Sequence, residues 1–225
     1  MNEIQKLITM KKLEKKYLEC SLNYNQYRTM MQHLIAEGKT TGANQSPEII
    51  AFTKLNEYRM KRLEKTATIN DNLAATVQSL QKKWIWIILT EIWCGDVAQN
   101  IPTIEKIAAL NPLISTHYLL RDENLSLMNQ YLTNGGKAIP KLICYNGETL
   151  EPIGHWGPRP APAQQLTMKL LKHQPPLSFE DVHEPLHKWY ADDKTNTLQK
   201  EMEELIKTWI GETAASFPLA SLYNC

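Results

Sequence analysis

The amino-acid sequence predicts an α/β fold in which a central mixed sheet is flanked by helices, with further helices before and after it. Residues 84–89 (WIWIIL) are a dense apolar run rich in aromatic and branched side chains, which is typical of a buried central strand. After this run, helical and strand-like patterns alternate, and Asn146-Gly147 provides a hairpin signal. The 225 residues suffice for one domain of ordinary core size with additional elements.

Composition excludes several classes of protein. The net charge of +1 gives no reason to expect nucleic acid or an anionic membrane as a partner. No window is apolar enough to span a bilayer, and the first residues lack the apolar run of a secretory signal. The four cysteines form no CxxC pair and have no zinc-ligand spacing. We therefore expect a reduced, cytoplasmic protein without a metal or a bound cofactor, and the oligomeric state stays open.

The first eighty residues are predicted to be helical. An amphipathic helix lies within 1–20, and a second begins after Asn23 or Ser21 and ends at Gly38. Ser46-Pro47 starts a third helix that runs to about Lys65, and a fourth covers 71–82. The third carries a basic run, for which a solvated face is favoured over a docking patch: Lys54, Arg59, Lys61, Arg62 and Lys65. Residues 1–82 are thus a predicted helical N-terminal extension.

The central strand leads into Trp93-Cys94-Gly95-Asp96, after which the apolar spacing becomes helical. A cysteine at such a junction faces the positive end of the helix dipole and unpaired backbone N–H groups. Both favour the thiolate over the thiol. Cys94 is therefore the candidate nucleophile of the chain.

The remaining elements follow from periodicity and turn signals. A strand is predicted over 114–121 and a short helix over 123–132. A strand over 138–145, entered through Pro140, is paired through a hairpin with 149–156. The proline-rich corner 157–162 leads into a helix over 163–173, and two more helices follow over 178–190 and 194–209. The tail from Gly211 is expected to be loose.

Several motifs in residues 83–173 together resemble the thioredoxin superfamily. Trp93-Cys94-Gly95 is similar to the active-site turn of that family, and Ile139-Pro140 to its Ile-Pro motif. Other matches are the helix proline Pro102, the hairpin turn Asn146-Gly147-Glu148, and Gly157 after the hairpin. The resemblance implies a thioredoxin-like domain over 83–173, followed by a C-terminal helical extension over 174–225.

The resemblance also implies roles for individual residues. In the family the Ile-Pro peptide bond is cis and lies against the reactive cysteine, so that the residue before proline pairs with an extended peptide. Ile139 and Pro140 are the matching positions here. Trp93 would shield the sulfur, and Gly157 would line the substrate groove. With Gly95 and Asp96 of the turn, these residues form the expected substrate-binding set.

Two departures from the family pattern affect the same step, in which a second cysteine releases the mixed disulfide. Val97 stands where the resolving cysteine would be, and Ile88 where the family carries a buried carboxylate. Asp96 replaces the proline of the turn. Its charge either raises the pKa of Cys94 or competes for the helix N–H groups, and both effects predict a less acidic thiol. Cys144 is expected to be a buried structural thiol, whereas Cys20 and Cys225 lie on segments that the sequence does not place.

Arg121 and His155 are candidate neighbours of the thiol. Arg121 follows a strand whose end should lie at the same edge of the sheet as Cys94. There Arg121 would lower the thiol pKa or bind an anionic thiol substrate. Helix capping by Asp122 and Glu123 is the favoured alternative for this segment. His155, near the end of the hairpin partner strand, is a candidate base, although a lone histidine is usually structural or exposed.

Two functions from different classes are compatible with these residues. In the first, Cys94 of a monothiol oxidoreductase attacks a protein disulfide or capped protein thiol, and an external low-molecular-weight thiol releases the mixed disulfide. In the second, a redox-inactive binding module docks an extended peptide or partner protein in the groove. Retention of Trp93, Cys94, Gly95 and Pro140 favours the first hypothesis. The loss of the resolving cysteine and of the buried carboxylate favours the second.

Overall fold

The structure is a computed structural model that describes residues 11–215. Its sheet has the strand order β2-β1-β3-β4. The strands are β1 (Trp84–Thr90), β2 (Ile114–Leu120), β3 (Lys141–Asn146) and β4 (Pro152–Trp156). β1 pairs in parallel with β2 and antiparallel with β3, and β3 pairs antiparallel with β4. The predicted mixed sheet is confirmed.

Helices flank this sheet and also precede and follow it, as predicted. Before the sheet lie α1 (Lys15–Glu19), α2 (Tyr24–Ala36), α3 (Pro47–Thr66) and α4 (Asp71–Gln78). Between and after the strands lie α5 (Gly95–Ala108), α6 (Leu125–Met128), α7 (Ala161–Leu171), α8 (Phe179–Asp193) and α9 (Asn196–Ala215). In the described part of the chain, no helix combines the length and apolar character needed to cross a bilayer. The division at residues 83 and 173 stays a prediction.

Side-chain caps explain where the helices begin. Asn23, rather than Ser21, accepts a hydrogen bond from the backbone of Gln26 and completes a capping box at α2. Ser46 caps α3, with Pro47 in its first turn, and Ser178 completes a second capping box at α8. These caps satisfy N–H groups that have no partner within their own helix.

Several predicted boundaries differ from the structure. The helix expected over 123–132 is reduced to α6, because Asn124 has non-helical angles and its side chain binds the carbonyl of Leu120. The strand expected from 138 begins at Lys141, after the cis Ile139–Pro140 bond. The helix expected over 71–82 ends at Gln78. The tail expected to be loose from Gly211 is helical to Ala215, and residues 1–10 and 216–225 lie outside the described part.

The terminal helices share one core with the sheet. Tyr27 of α2 is fully buried and stacks on Tyr118 of β2, with ring centroids 5.2 Å apart. From α9, Trp209 packs edge-on against Trp84 of β1 at 6.0 Å. The segments before and after the sheet therefore contribute to the same hydrophobic core as the strands.

Candidate functional site

Cys94 lies at the junction between β1 and α5, as the sequence predicted. Its backbone has extended angles, and it is the N-cap residue of the 14-residue helix α5. The thiol is partly buried and donates a hydrogen bond to the carbonyl oxygen of Ile139 at 3.4 Å. The backbone N–H groups of Asp96 and Val97 also interact with the sulfur. These N–H groups at the positive end of α5 favour the charged form of Cys94.

Polar side chains of the N-terminal helical segment fix the turn before Cys94. The hydroxyl of Tyr27 is hydrogen-bonded to Thr90 at 3.1 Å. The side-chain amide of Asn56 donates to the carbonyl of Ile92 at 3.2 Å, and the N–H of Ile92 donates to Thr41 at 3.2 Å. All three bonds are buried. The turn is therefore held by residues that precede the sheet in sequence.

Ile139 and Pro140 lie beside the thiol. Their peptide bond is cis. Ile139 is only 4% exposed. Gly157 approaches the same segment with φ of +112°, and a Cβ atom there would lie 2.2 Å from the carbonyl oxygen of Pro140. Only glycine fits this conformation and this distance.

Asp96 belongs to a buried polar network and does not cap α5. Its carboxylate accepts hydrogen bonds from Arg159 Nη2 at 2.5 Å and from the hydroxyl of Tyr190 at 2.7 Å. The side chain of Asn100 donates to the carbonyl of Asp96 at 2.7 Å and to Tyr190 at 2.9 Å. The network connects the turn after β1 to the corner before α7 and to α8. Neither Arg159 nor Tyr190 was among the predicted site residues.

Burial and charge set the protonation state of Cys94. Burial, followed by the nearby Asp96 carboxylate, raises the pKa of Cys94 to about 12. The N–H groups of Val97 and Asp96 and the Arg159 guanidinium act in the opposite direction and are outweighed. Of the two predicted effects of Asp96, the raised thiol pKa is the one that its position produces. At neutral pH the resting group is a thiol.

A cavity of about 270 Å³ opens at Cys94 and collects most of the predicted site residues. Six of them line it: Trp93, Cys94, Gly95, Asp96, Arg121 and Ile139. Two walls come from outside the predicted thioredoxin-like segment. Ile49 and Phe52 belong to α3, and three further residues belong to α8: His183, Leu186 and His187. Helices from both ends of the chain therefore enclose the thiol.

His187 of α8 packs directly on Gly95 in the turn that contains Cys94. A Cβ atom on Gly95 would lie 2.8 Å from the His187 ring. Nδ1 of that ring faces the side-chain amide of Gln99 at 3.4 Å. Burial, then the charge of Arg59, then His183 lower the pKa of His187 to about 4. His187 is therefore neutral at physiological pH.

Of the two predicted neighbours of the thiol, Arg121 and His155, the structure places only Arg121 at the cavity. Arg121 lines the cavity, where its guanidinium lies 5.0 Å from the Trp93 ring centroid and pairs with Asp122 at 2.7 Å. His155 lies outside the cavity lining. It is exposed on β4, where its ring meets Tyr131 edge-on at 5.6 Å. This position follows from register, because His155 pairs with Ile143 in the middle of β3, away from the strand end near Pro140.

The other cysteines do not form disulfides within the described residues. Cys144 is fully buried in β3 opposite Trp86, in the structural position predicted for it. Cys20 is exposed at the end of α1, and Cys225 lies outside residues 11–215. Cys20, Cys94 and Cys144 are all free. Over the same residues, no group of three His, Cys, Asp or Glu side chains is placed to hold a metal ion.

Comparison with known proteins identifies the fold. A family model described as Thioredoxin matches residues 42–172. A crystal structure of an HIV epitope-scaffold is 14% identical with a TM-score of 0.53, over 86% of this chain and 96% of that chain. A Pseudomonas aeruginosa protein of unknown function is also 14% identical, with a TM-score of 0.47 over 87% and 99% of the two chains. The likeness to the epitope-scaffold shows a shared fold only. No curated protein matches the sequence.

Proposed function

Because this chain belongs to the thioredoxin family, we propose that it carries out thiol–disulfide exchange through the single thiol of Cys94. The observation that carries the proposal is the position of the sulfur. It lines a cavity at the N-terminus of α5, close to two backbone N–H groups and beside Ile139 and Pro140. A thiolate formed there is stabilised by the helix end while a disulfide occupies the cavity.

The reaction would proceed in two balanced steps. The Cys94 thiolate attacks one sulfur of a disulfide, an S–S bond forms between Cys94 and that sulfur, and the other sulfur leaves as a thiolate. Val97 stands at the resolving position, so an external low-molecular-weight thiol attacks the mixed disulfide and regenerates Cys94. The bound disulfide is the oxidant and the external thiol is the reductant.

The raised thiol pKa predicts slow exchange at neutral pH. With a pKa of about 12, roughly one Cys94 in ten thousand is ionised at pH 8. The rate should therefore rise with pH. The free thiols at Cys20, Cys94 and Cys144 are compatible with a reducing compartment, and the proposal includes the predicted cytoplasmic location.

One observation favours a second candidate, a redox-inactive binding module. The Cys94 thiol donates a hydrogen bond to the carbonyl oxygen of Ile139, next to the Asp96–Arg159 salt bridge. A thiol held in this way also serves as an uncharged residue in the lining of a binding cavity. In this case Cys94→Ser would keep ligand binding, since serine also donates a hydrogen bond.

Trapping of a mixed disulfide separates the two candidates. The chain is incubated at pH 8 with 4,4′-dithiodipyridine, and the product is mapped by mass spectrometry after proteolysis. Exchange predicts a thiopyridyl adduct at Cys94 that a small thiol removes, and no such adduct in Cys94→Ser. Labelling confined to the exposed Cys20 over the same period would reject exchange and leave the binding module.

A further inference from the structure

A second cavity of about 400 Å³ adjoins the cavity at Cys94. It is lined by the loop before β3 and by α7 and α8, with Thr133, Gln164, Met168 and Leu171 among its residues. Both cavities are also lined by four residues that form their common wall: Ala138, Arg159, His183 and Leu186. The two cavities are therefore neighbours, and Arg159 lines both of them.

Arg159 is the charged residue of the common wall. One terminal nitrogen binds the Asp96 carboxylate at 2.5 Å, and the other donates to the side-chain oxygen of Gln164 at 3.3 Å. Its Nε–H is buried and has no acceptor among the described residues. The side chain as a whole is 15% exposed, and each terminal nitrogen carries a second N–H beyond these two bonds. Because a carboxylate is the acceptor that suits a guanidinium best, Arg159 can bind an anionic group that enters either cavity.

Several residues of the two linings are suited to an apolar molecule. Ile49 and Phe52 face the first cavity, and Met168 and Leu171 face the second, while Leu186 contributes to both. Together the volumes fall within the range of about 300–1,000 Å³ that is usual for small-molecule sites. Size and apolar walls with a few charged side chains are typical of such sites, and the charged residues here are Asp96, Arg121 and Arg159.

The same geometry disfavours an extended peptide. A peptide strand would need the backbone of Ile139 as a free edge, as the family resemblance implied. Here Ile139 is 4% exposed and its carbonyl already accepts the Cys94 thiol. His187 of α8 also packs against Gly95 of the turn. Both features leave little of Ile139 accessible to a peptide strand.

We propose that the two cavities form one binding site for a small, elongated carboxylate with an apolar body, and that Arg159 binds the carboxylate. This names the substrate class of the exchange reaction and rests on the proposed function to that extent. The disulfide delivered to Cys94 would carry the carboxylate, with its apolar remainder in the second cavity. A protein disulfide would not be a substrate.

The test uses 4-phenylbutyrate, an apolar carboxylate without sulfur, and its neutral amide as the matched probe. Binding to the full chain is measured by isothermal titration calorimetry. We expect the carboxylate to bind about tenfold more tightly than the amide, since one charge-assisted hydrogen bond gives about that factor. Arg159→Gln should abolish the difference, and Arg62→Gln, which removes an exposed arginine, should leave it unchanged.

A second variant keeps the buried Asp96–Arg159 pair intact, in case Arg159→Gln does not fold. Met168→Trp fills part of the second cavity. It should weaken 4-phenylbutyrate about tenfold and leave the shorter phenylacetate nearly unaffected. Equal weakening of both acids, or of neither, would overturn the extended site.

The outcome is independent of the exchange reaction. If 4-phenylbutyrate binds as expected and slows alkylation of Cys94, the inference stands even where no mixed disulfide can be trapped. If Cys94 forms the mixed disulfide but the acid and the amide bind alike or not at all, the inference is overturned and exchange stands. Equal reaction of Cys94 with insulin and with a small disulfide would also overturn it.

Discussion

Replacement of Asp96 by asparagine should make Cys94 markedly more acidic. The Asp96 carboxylate is the second cause of the raised pKa, after burial. It also neutralises Arg159, whose charge lowers the same pKa. Asparagine removes the negative charge and releases the positive one. Arg159 donates to Oδ2 of Asp96 and Tyr190 to Oδ1, so the single side-chain oxygen of asparagine keeps one of these two hydrogen bonds. Both changes in charge favour the thiolate.

The magnitude follows from the starting value. A neighbouring charge changes a pKa by about 1–3 units, so a fall of roughly two units from about 12 is expected. At pH 8 the ionised fraction then rises about a hundredfold. The intrinsic nucleophilicity falls with pKa at a Brønsted coefficient of about 0.4–0.5, which removes roughly a factor of ten. A net acceleration of about tenfold at pH 8 remains.

The assay is the pH dependence of alkylation by iodoacetamide in a chain that also carries Cys20→Ser, Cys144→Ala and Cys225→Ser. Mass spectrometry follows the adduct from pH 6 to pH 11. Glu123→Gln removes an exposed carboxylate from the same edge of the sheet and should leave the profile unchanged. A Cys94 profile that stays in place or moves to higher pH in Asp96→Asn would refute the assigned role of Asp96.

Two further predictions concern the walls of the site. The pKa of His187 is lowered to about 4 from 6.5, so neutral His187 stabilises the fold above about pH 6.5, and this stability is lost as the pH falls towards 4. Facing it are Arg59 of α3, Gln99 of α5 and His183 of its own helix. Urea unfolding at pH 7.5 and pH 5 should show a smaller acid-induced loss in His187→Gln than in the parent chain, and an equal loss would contradict this origin. Gly157→Ala should destabilise the fold by more than the roughly 1–3 kcal/mol of a strained backbone, because its Cβ atom would also meet the carbonyl of Pro140. Gly135→Ala is the matched control with positive φ and open space, and equal thermal unfolding shifts in the two variants would show that the contact is unimportant.

Much of the fold was predictable because its signals are local. The run at 84–89 is dense enough to require a buried strand, and β1 is buried along nearly its whole length. Ser46-Pro47 located the start of α3. Predicted boundaries were wrong where one side-chain hydrogen bond determines where an element begins. Asn124 ends the turn before α6 through a side-chain bond that periodicity does not reveal.

The candidate site was predictable in its centre and not in its walls. The meeting of Cys94 with Ile139 followed from the family resemblance, and the structure places them in contact. Asp96 bonds to Tyr190 across 94 residues of sequence and to Arg159 across 63. Such contacts depend on where α7 and α8 dock, which helical periodicity does not specify. Arg159 lies in the proline-rich corner, and a lone arginine between prolines is not a recognisable signal.

Turnover is the most direct test of exchange at Cys94. The chain is mixed at pH 8 with 3,3′-dithiodipropionate and a low-molecular-weight thiol, and the formation of the new small disulfide is followed by chromatography. We expect catalysis above the background rate that increases up to at least pH 10 and is absent in Cys94→Ser. A rate that equals the background at every pH, or that persists in Cys94→Ser, would contradict thiol–disulfide exchange as the function of this site.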